Sequence, residues 1–565
     1  MRVFLCEKPS QAKDVATALG LARSRKDGYF SDGNQAVVWA LGHLLSQANP
    51  EFYQPELARG KQGWQTSLLP IVPQKWQMEL ADPKKDAGRY KQAMNVKKLL
   101  KQATEVVIAT DNDREGETIA VELMEYFGYS GPSKRMLYSS MDAKSLKKAL
   151  NSMKDGKETY SDYIAGLGRM RADWLFGMNM TMALTSSNKK MLVQGDVLSA
   201  GRVQSPIVYL VVKRELEIKN FVPIPFYKFD ADFVKPQTCE KYSGSLKIRP
   251  EFLDEKTGYF MDQEKVKTLL EELKTGKTGT ITKYSSDEKS EKPPLGYSLS
   301  LLQKECSKRF GFSAKKTLEV AQKLYETHKL TTYPRSDCGY MDTNQFVDAP
   351  SILNIINSNF GNQDYGKLLG NTDAKRKSPM WNTAKVTAHH AIIPTITQKS
   401  VQQLSKDELN VYDLICKRYL MQFMPDYKST KVSIETKVVN DIFPTSGNTT
   451  IDMGWKDADP KMKASNKSVP VLKKGEEVDV KKIKERKEET KPPLSYTEDV
   501  LLDDLVNIRR FIENEKLKKI IKDAGIGTEA TRANHLDNVE KKGYIKRSGK
   551  KLLPTEKAYA LMEVL

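Results

Sequence analysis

The chain has 565 residues, which predicts about four domains at roughly 150 residues each. Hydrophobic residues make up 39% of the sequence and charged residues 29%, which excludes an intrinsically disordered protein because apolar periodic segments run almost throughout. Lys and Arg exceed Asp and Glu by 91 − 72 = 19 charges, and this excess predicts a polyanionic partner, most simply nucleic acid.

The cysteines and the N-terminus exclude further classes. The five cysteines, at 6, 239, 306, 338 and 416, form no CxxC pair, so neither a zinc ribbon nor a disulfide scaffold is expected. No apolar stretch approaches the roughly 18 residues needed to cross a membrane. Four apolar residues, Val3–Cys6, are too short for a signal peptide. We therefore expect a reduced, soluble, cytoplasmic protein without a membrane partner.

A phosphate-binding P-loop is not expected either. Gly276-Lys277-Thr278 is the nearest match to the end of such a loop, but Glu271 stands where its first glycine is required. The sequence therefore predicts no ATP-driven step.

In chain order, the first 150 residues predict an α/β unit. Short apolar runs at Val3–Cys6, Val106–Ala109 and Met136–Tyr138 are typical of buried strands. Between the last two, apolar residues recur every fourth position from 119 to 127, and Gly128 is a typical helix stop. This strand–helix–strand spacing predicts parallel pairing.

The middle of the chain predicts a β domain with a helical insertion. Residues 153–217 have helical apolar spacing, whereas apolar and charged residues alternate from 226 to 233 and again from 432 to 438. The region between these strands, 286–407, is mainly helical. Residues 461–491, rich in Lys and Arg, predict an exposed strand and linker, although a solvated charged face is the plainer interpretation.

The last segment has a winged-helix pattern. Thr528 can cap a helix that Gly543 ends. The strands Tyr544–Arg547 and Lys551–Leu553, joined by a turn at Ser548-Gly549, predict a hairpin. The chain stops inside an apolar run, Ala558–Leu565, so we expect a truncated form of a longer protein.

Three carboxylates follow the second predicted strand. If the backbone stays extended, Asp111, Asp113 and Glu115 point to one side and repel one another unless a cation neutralises them. Hard oxygen ligands suit Mg²⁺, and open α/β sheets place ligands at the carboxyl ends of strands. The alternative is a solvated acidic turn.

The pair Glu7-Lys8 follows the first predicted strand. Beside Asp111, Glu7 would have a raised pKa and could act as a general acid, while Lys8 offers a compact cation for a phosphate. Taken alone, the pair is more often just the start of a loop.

A third candidate is the segment Thr331–Asp337, which follows a helix that Ser313 can cap. Tyr333 is an available nucleophile, Pro334 biases it to extended geometry, and Arg335 could hold a phosphate with two parallel hydrogen bonds. The alternative is a surface tyrosine beside a turn.

Together these motifs resemble the type IA DNA topoisomerases, with the topoisomerase III branch most similar. The resemblance runs in one order along nearly the whole chain, through Glu7-Lys8-Pro9-Ser10, Asp111-x-Asp113-x-Glu115, Ser199-Ala200-Gly201-Arg202-Val203-Gln204-Ser205-Pro206, Thr332-Tyr333-Pro334-Arg335-Ser336-Asp337 and Ala388-His389-His390-Ala391-Ile392-Ile393-Pro394-Thr395.

The resemblance implies a multidomain α/β and α+β fold that forms a toroidal clamp. Its parts would be a Toprim domain at 1–152, a helical, winged-helix-like DNA-binding domain at 153–217 and 483–565, a β arch at 218–285 and 408–482, and an inserted helical domain at 286–407 that carries Tyr333.

The implied reaction is strand passage through a 5′-phosphotyrosine link, with relaxation of negative supercoils and decatenation. Tyr333 would attack the phosphodiester, Glu7 would protonate the leaving oxygen, and His389 would orient Asp111 or contact the phosphate. Lys8 and Arg335 would stabilise charge on the phosphate.

The implied cofactor is Mg²⁺, or Mn²⁺ in its place, with neither ATP nor zinc. The metal ligands would be Asp111, Asp113, Glu115 and Glu7. Single-stranded DNA would lie in a groove lined by Arg169, Arg171, Ser199, Arg202 and Gln204, although helix-surface salt bridges are the plainer role for these arginines.

Further expectations concern partners and departures from the family pattern. Single-stranded and underwound DNA would be the substrate of a monomer located at the nucleoid or on plasmids, and a RecQ-type helicase and a single-strand-binding protein would be its partners. Asn112, Met182 and Gly296 depart from the usual residues but leave the catalytic set intact. An insert associated with decatenation is expected at 240–262.

Three other classes stay open at this point. A Toprim nuclease or primase would share the acidic cluster but would not need Tyr333. A relaxase would pair a tyrosine with metal-binding histidines, but His389 and His390 are adjacent and cannot project to one side of a strand. A non-catalytic single-strand clamp would need no Mg²⁺.

Overall fold

The structure is a computed structural model that describes residues 1–57, 64–189, 196–360, 363–386, 389–459, 461–462, 466–521 and 525–565. The N-terminal part contains β1 Arg2–Cys6, α1 Pro9–Ala18, β2 Tyr29–Ser31, β3 Gln35–Trp39, β4 Leu45–Gln47, α2 Pro50–Tyr53, β5 Met78–Leu80, α3 Ala87–Leu100, β6 Glu105–Ile108, α4 Arg114–Tyr126, β7 Ser133–Arg135, α5 Ala143–Asn151 and β8 Lys154–Asp155.

A six-stranded sheet organises this part, in the order β2-β3-β1-β6-β7-β8. Strand β1 lies at its centre, parallel to β3 and to β6, and β6 is parallel to β7. The apolar runs of β1 and β6 are buried on both faces, as parallel strands covered by helices must be. Helices α3 and α4 cover one face, and α1 and α5 cover the other.

The third strand was predicted at the wrong residues. Strand β7 is Ser133–Arg135, so the predicted Met136–Tyr138 lies just beyond it. The N–H of Met136 still donates to the carbonyl of Ile108 at 2.9 Å. Beyond this bond, the hydroxyl of Tyr138 donates to the carbonyl of Ala109 at 2.7 Å, so a side chain takes the place of the next backbone hydrogen bond between the strands. Met136 and Tyr138 are buried, but they do not form a strand.

The helical part has one large hydrophobic core. Its residues come from α6 Tyr160–Ser187, α7 Gln204–Lys219, α9 Leu299–Phe310, α10 Ala314–Glu326, α11 Ala349–Phe360, α12 Gln363–Gly370, α13 Lys406–Leu420, α14 Glu498–Val506, α16 Glu529–Lys541, β15 Ile545–Ser548, β16 Lys551–Pro554 and α17 Glu556–Val564. Two other helices, α8 Gln263–Thr275 and α15 Glu515–Ile520, lie in sequence between α7 and α9 and between α14 and α16. The core therefore joins helices that are far apart in sequence.

The winged-helix pattern is confirmed. Thr528 and Thr531 form a capping box at the start of α16, and β15 pairs with β16 from Ile545 opposite Pro554. The turn falls one residue later than predicted because Ser548 is still paired and Gly549 has a positive φ of 59°.

The second six-stranded sheet is antiparallel, in the order β10-β9-β14-β11-β12-β13. Its strands are β9 Pro225–Val234, β10 Lys241–Ser245, β11 Thr278–Glu291, β12 Tyr427–Val438, β13 Asp441–Asp452 and β14 Glu477–Glu489. The predicted alternation is confirmed, since Phe229, Ala231 and Phe233 are buried beneath α8. Both β11 and β14 continue past the expected domain boundaries at 285 and 482.

The segment expected to carry an insert, 240–262, contains the edge strand β10 of this second sheet, and the residues after β10 pack against the core of the sheet. Phe252 and Phe260 stack with their ring centroids 5.5 Å apart, and Phe260 is buried in the core. The charged segment 461–491 contains the largely exposed strand β14, while residues 463–465 lie outside the described part. Among the described residues, no helix is long and apolar enough to cross a membrane.

Candidate active site

The carboxyl ends of β1 and β6 bring Glu7, Lys8 and Asp111 together. Because the two strands are neighbours and parallel, the residues that follow them emerge at one edge of the sheet. The ammonium of Lys8 lies 3.0 Å from Asp111 Oδ2 and 3.6 Å from Glu7 Oε1. Glu7 and Asp111 are both almost fully buried. The expected adjacency of Glu7 and Asp111 is present in the structure.

The acidic cluster is not an extended strand, which corrects the sequence prediction. Asp113 is the N-cap of α4, and its Oδ1 accepts the N–H of Gly116 at 2.8 Å. Glu115 therefore lies in the first helical turn, where its carboxylate is 3.4 Å from Arg335 Nη1. The backbone turns into a helix here and does not stay extended, because the Asp113 cap gives a hydrogen-bond partner to an N–H that has none inside the helix.

Tyr333 lies against the same cluster, although 220 residues separate it from Asp113. Its hydroxyl donates to Asp113 Oδ2 at 2.7 Å, and its backbone N–H donates to the carbonyl of Ser139 at 2.9 Å. Burial, and after it the charge of Asp111, raises the pKa of the Tyr333 hydroxyl well above its ordinary value. The nucleophile candidate is therefore enclosed and protonated in this arrangement.

Two aromatic rings fix the orientation of the Tyr333 ring. The ring of His389 stacks on it with centroids 5.1 Å apart and planes 28° from parallel, while Tyr325 meets it edge-on at 5.6 Å. His389 thus touches the predicted nucleophile. Ala388, which precedes it in the family motif, lies outside the described residues.

Burial and the neighbouring charges together raise the pKa values of Glu7 and Lys8. Burial, followed by the charge of Asp111, raises the pKa of Glu7 from 4.5 to about 8. For Lys8, burial lowers the pKa, but Asp111 and then Glu7 outweigh it and the net pKa is raised. At neutral pH, therefore, Glu7 holds a proton and Lys8 holds its charge.

The donor set fits a hard divalent cation in its chemistry, because Asp111 and Asp113 supply carboxylate oxygens at the end of one strand. In the described part of the chain, no three such side chains converge as ligands on one point. Their oxygens are instead held by Lys8 and Tyr333. An incoming cation would have to replace these protein donors.

The sequence reasoning missed Arg135, which lies beneath the acidic cluster. Its buried guanidinium donates to the carbonyls of Ile108, Thr110 and Asp111 and pairs with Glu117 at 3.0 Å. The end of β6 is thereby fixed from below. Arg135 directly precedes the apolar run Met136–Tyr138, and this neighbouring run was the available signal.

Two further residues were missed, Glu326 and Gln11. Glu326 Oε1 lies 2.9 Å from the ammonium of Lys8, so the helical part contributes a carboxylate to the site. Gln11, in the first turn of α1, donates to Asp111 Oδ1. In the sequence, Glu326 stands at the end of the helix that leads into the Tyr333 segment, and this position was a signal for it. No sequence signal pointed to Gln11.

The predicted DNA-binding residues surround the junction of α6, α7 and the winged helix. Arg202 pairs with Asp173 at 2.7 Å, and the guanidinium of Arg171 lies 5.3 Å from the centre of the Trp76 ring. Burial and then the charge of Arg114 lower the pKa of Arg169.

Two others contact the winged helix. Gln204 Oε1 accepts from Lys542 at 2.9 Å, and the Ser199 N–H donates to the Tyr544 hydroxyl at 2.7 Å. The five residues thus lie in one region, and Arg202 has the surface ion pair that was the plainer alternative.

Comparison with known proteins agrees with this site. The Toprim domain family matches residues 2–141, and a family described as DNA topoisomerase matches residues 157–565. The chain belongs to the type IA DNA topoisomerase family. It is an ATP-independent enzyme that cleaves a single DNA strand and passes another, as predicted, and the nuclease, relaxase and non-catalytic clamp alternatives are not favoured.

More particular likenesses point to one branch of the family. The chain is 35% identical to DNA topoisomerase 3 of Vibrio cholerae and 34% identical to that of Haemophilus influenzae, in each case over its whole length, and it covers 87% and 88% of those proteins. Full-length topoisomerase I from Thermotoga maritima has the same fold, with a TM-score of 0.67 at 22% identity over 98% of this chain and 80% of that one. This likeness agrees with the expected toroidal arrangement.

Proposed function

We propose that Tyr333 is the nucleophile and forms a 5′-phosphotyrosine link with single-stranded DNA. The observation that carries this is the position of its hydroxyl, 2.7 Å from Asp113 and enclosed by the charged side chains of the Toprim domain. The tyrosine oxygen bonds to phosphorus, the bond to the 3′ oxygen breaks, and the phosphodiester energy is kept for religation.

Glu7 would supply the proton for the leaving 3′ oxygen. Its raised pKa of about 8 means that it carries a proton at neutral pH, which a general acid requires. On religation the carboxylate takes the proton back from the 3′ hydroxyl. The tyrosine proton leaves toward Asp113, whose oxygen already accepts it in a hydrogen bond.

Lys8 and Arg335 would stabilise the charge that builds on the phosphate. In this arrangement both cations are held by carboxylates, Lys8 by Asp111 and Glu326 and Arg335 by Glu115. A phosphate would exchange with these carboxylates. His389 would keep the tyrosine ring at the angle of attack, because the two rings are stacked.

Toprim domains use Mg²⁺, and we propose that Asp111 and Asp113 hold it, with Glu115 and Glu7 close by. When bound, the cation neutralises the carboxylates so that a phosphate can approach them. Mn²⁺ would serve in its place, and neither ATP nor zinc is part of the proposed cycle.

The proposed substrates are single-stranded and underwound DNA, with relaxation of negative supercoils and decatenation as the outcomes. The strand would reach Tyr333 past Arg169, Arg171, Ser199, Arg202 and Gln204. We further propose that the enzyme works as a monomer in the cytoplasm, on the nucleoid or on plasmids, together with a RecQ-type helicase and a single-strand-binding protein. The 35% identity to a bacterial DNA topoisomerase 3 supports DNA as the substrate.

Trapping the covalent link tests the proposal. Tyr333→Phe should form no adduct with an end-labelled single strand and should relax no plasmid, while its affinity for the strand stays within about twofold because only one hydroxyl is lost. Tyr325→Phe is the matched control, since it keeps the ring that meets Tyr333 edge-on. An adduct formed by Tyr333→Phe, or a labelled phosphopeptide that lacks Tyr333, would refute the assignment.

A further inference from the structure

We propose that Gln11 is a positioning residue that sets Glu7, Lys8 and Asp111 relative to one another for strand cleavage. The proposal rests on the function proposed above and adds a residue outside the family motifs. Gln11 is fully buried and belongs to the first turn of α1. Its carboxamide lies between the two loops that carry the catalytic candidates.

The carboxamide makes three hydrogen bonds that join these loops. Its oxygen accepts the backbone N–H of Glu7 at 3.1 Å and that of Lys8 at 3.2 Å, and its nitrogen donates to Asp111 Oδ1. The two backbone donors fix which end of the amide is oxygen, so the NH₂ group must face Asp111. One side chain therefore ties the turn after β1 to the carboxylate after β6.

Helix capping accounts for part of this arrangement. A glutamine at the third helical position commonly accepts the N–H of the N-cap residue, here Lys8. Capping does not require the bond from Glu7 or the bond to Asp111. These two bonds connect Gln11 to the proposed general acid and to the proposed metal ligand.

The neutrality of the amide suits this place. Asp111 Oδ2 is already paired with Lys8 at 3.0 Å, and a second cation on Oδ1 would compete with a bound metal for the same charge. An amide donor orients the carboxylate while leaving its charge available. The loss of this donor would let Asp111 turn about its side-chain bonds, and Lys8, which is bonded to it, would move too.

The test compares Gln11→Met with Gln92→Met. Gln92 is a second buried glutamine of the Toprim domain, and its nitrogen donates to the carbonyls of Gly28 at 2.9 Å and Trp39 at 2.7 Å, on the side of the sheet covered by α3. Both variants remove buried hydrogen bonds, so both should lower Tm by a similar amount. The cleavage rate constant is measured in a single turnover on a labelled strand at saturating enzyme, beside the dissociation constant of that strand.

We expect Gln11→Met to lower the cleavage rate constant about 100-fold, as a displacement of roughly 1 Å does, with a dissociation constant within about twofold of wild type. Gln92→Met should keep a rate within about threefold. Gln11→Glu keeps the oxygen that accepts from Glu7 and Lys8 but turns a carboxylate oxygen toward Asp111, so it should lose rate as well, and it decides the question if Gln11→Met does not fold.

Wild-type rates in either Gln11 variant would overturn the proposal, and so would an equal loss of rate in Gln92→Met, which would reduce Gln11 to a structural role. A wild-type enzyme that forms no adduct at Tyr333 would instead refute the proposed function, so the two failures are distinguishable.

Discussion

The raised pKa of Glu7 predicts a specific pH dependence of stability in the metal-free protein. The pKa is 4.5 in the unfolded chain and about 8 in the folded one, because the carboxyl is buried and lies beside Asp111. The folded state therefore binds more protons than the unfolded state between these two values. The stability contributed by the protonated group is fully present below pH 4.5 and is lost as the pH rises through about 8.

The size of the effect follows from the two pKa values. Linkage with pKa values of about 4.5 and about 8 gives a loss of about 3 kcal/mol in the free energy of unfolding between about pH 6 and about pH 9. Glu7→Gln cannot titrate and imitates the protonated carboxyl in shape. The difference in stability between wild type and this variant should therefore fall by about 2–3 kcal/mol over that range, to the disadvantage of wild type.

Urea unfolding in the presence of EDTA, followed by circular dichroism at half-unit steps of pH, measures this difference. Taking wild type and variant at each pH cancels every other group whose titration the substitution leaves unchanged. A difference that stays constant within about 0.5 kcal/mol would show that Glu7 is already ionised at neutral pH. That result would also refute the proposed role of Glu7 as the general acid.

Three further predictions follow from other contacts. Arg135→Met leaves Glu117 buried without its cation and should cost about 3–5 kcal/mol in urea unfolding, and the double variant that also has Glu117→Leu should recover a large part of this. Lys329→Ala breaks a half-buried ion pair with Asp14 that joins the Toprim and helical parts. It should lower the free energy of unfolding by about 1 kcal/mol and reduce Tm measurably, whereas the loss of a fully exposed pair would have no detectable effect. Asp173→Ala releases Arg202 from its ion pair and should tighten the binding of single-stranded DNA, whereas Arg202→Ala should weaken the binding and reduce its salt dependence. Fluorescence anisotropy should therefore show affinity changes of opposite sign. Changes of the same sign would show that Arg202 does not contact the DNA.

The strands that depend on a local hydrophobic pattern could be predicted from the sequence. The apolar runs of β1 and β6 and the alternation of β9 and β12 reflect burial on two faces or on one, so periodicity locates them. It failed at β7 because Ser133–Arg135 contains a buried arginine that its hydrogen bonds, and not its hydropathy, hold in place. The apolar residues just after it carried the misleading signal.

The site divides in the same way. Glu7 and Asp111 could be placed together because parallel neighbouring strands end at one edge of a sheet. The contact of Tyr333 with Asp113 depends on the packing of segments 220 residues apart, so pattern alone could not supply it. The helical start at Asp113 was accessible, since an aspartate before an acidic first turn is a common N-cap, but the assumption of an extended backbone concealed it.

The backbone N–H of Tyr333 donates to the carbonyl of Ser139, so a hydrogen bond joins the helical part to the Toprim domain right beside the proposed nucleophile. Tyr333 belongs to the helical part, whereas Glu7 and the acidic cluster belong to the Toprim domain. If these two parts separated during strand passage, a DNA end bound to Tyr333 would move away from Glu7 and the carboxylates. The proposed chemistry would then stop, and resealing would have to wait until the two parts were in contact again.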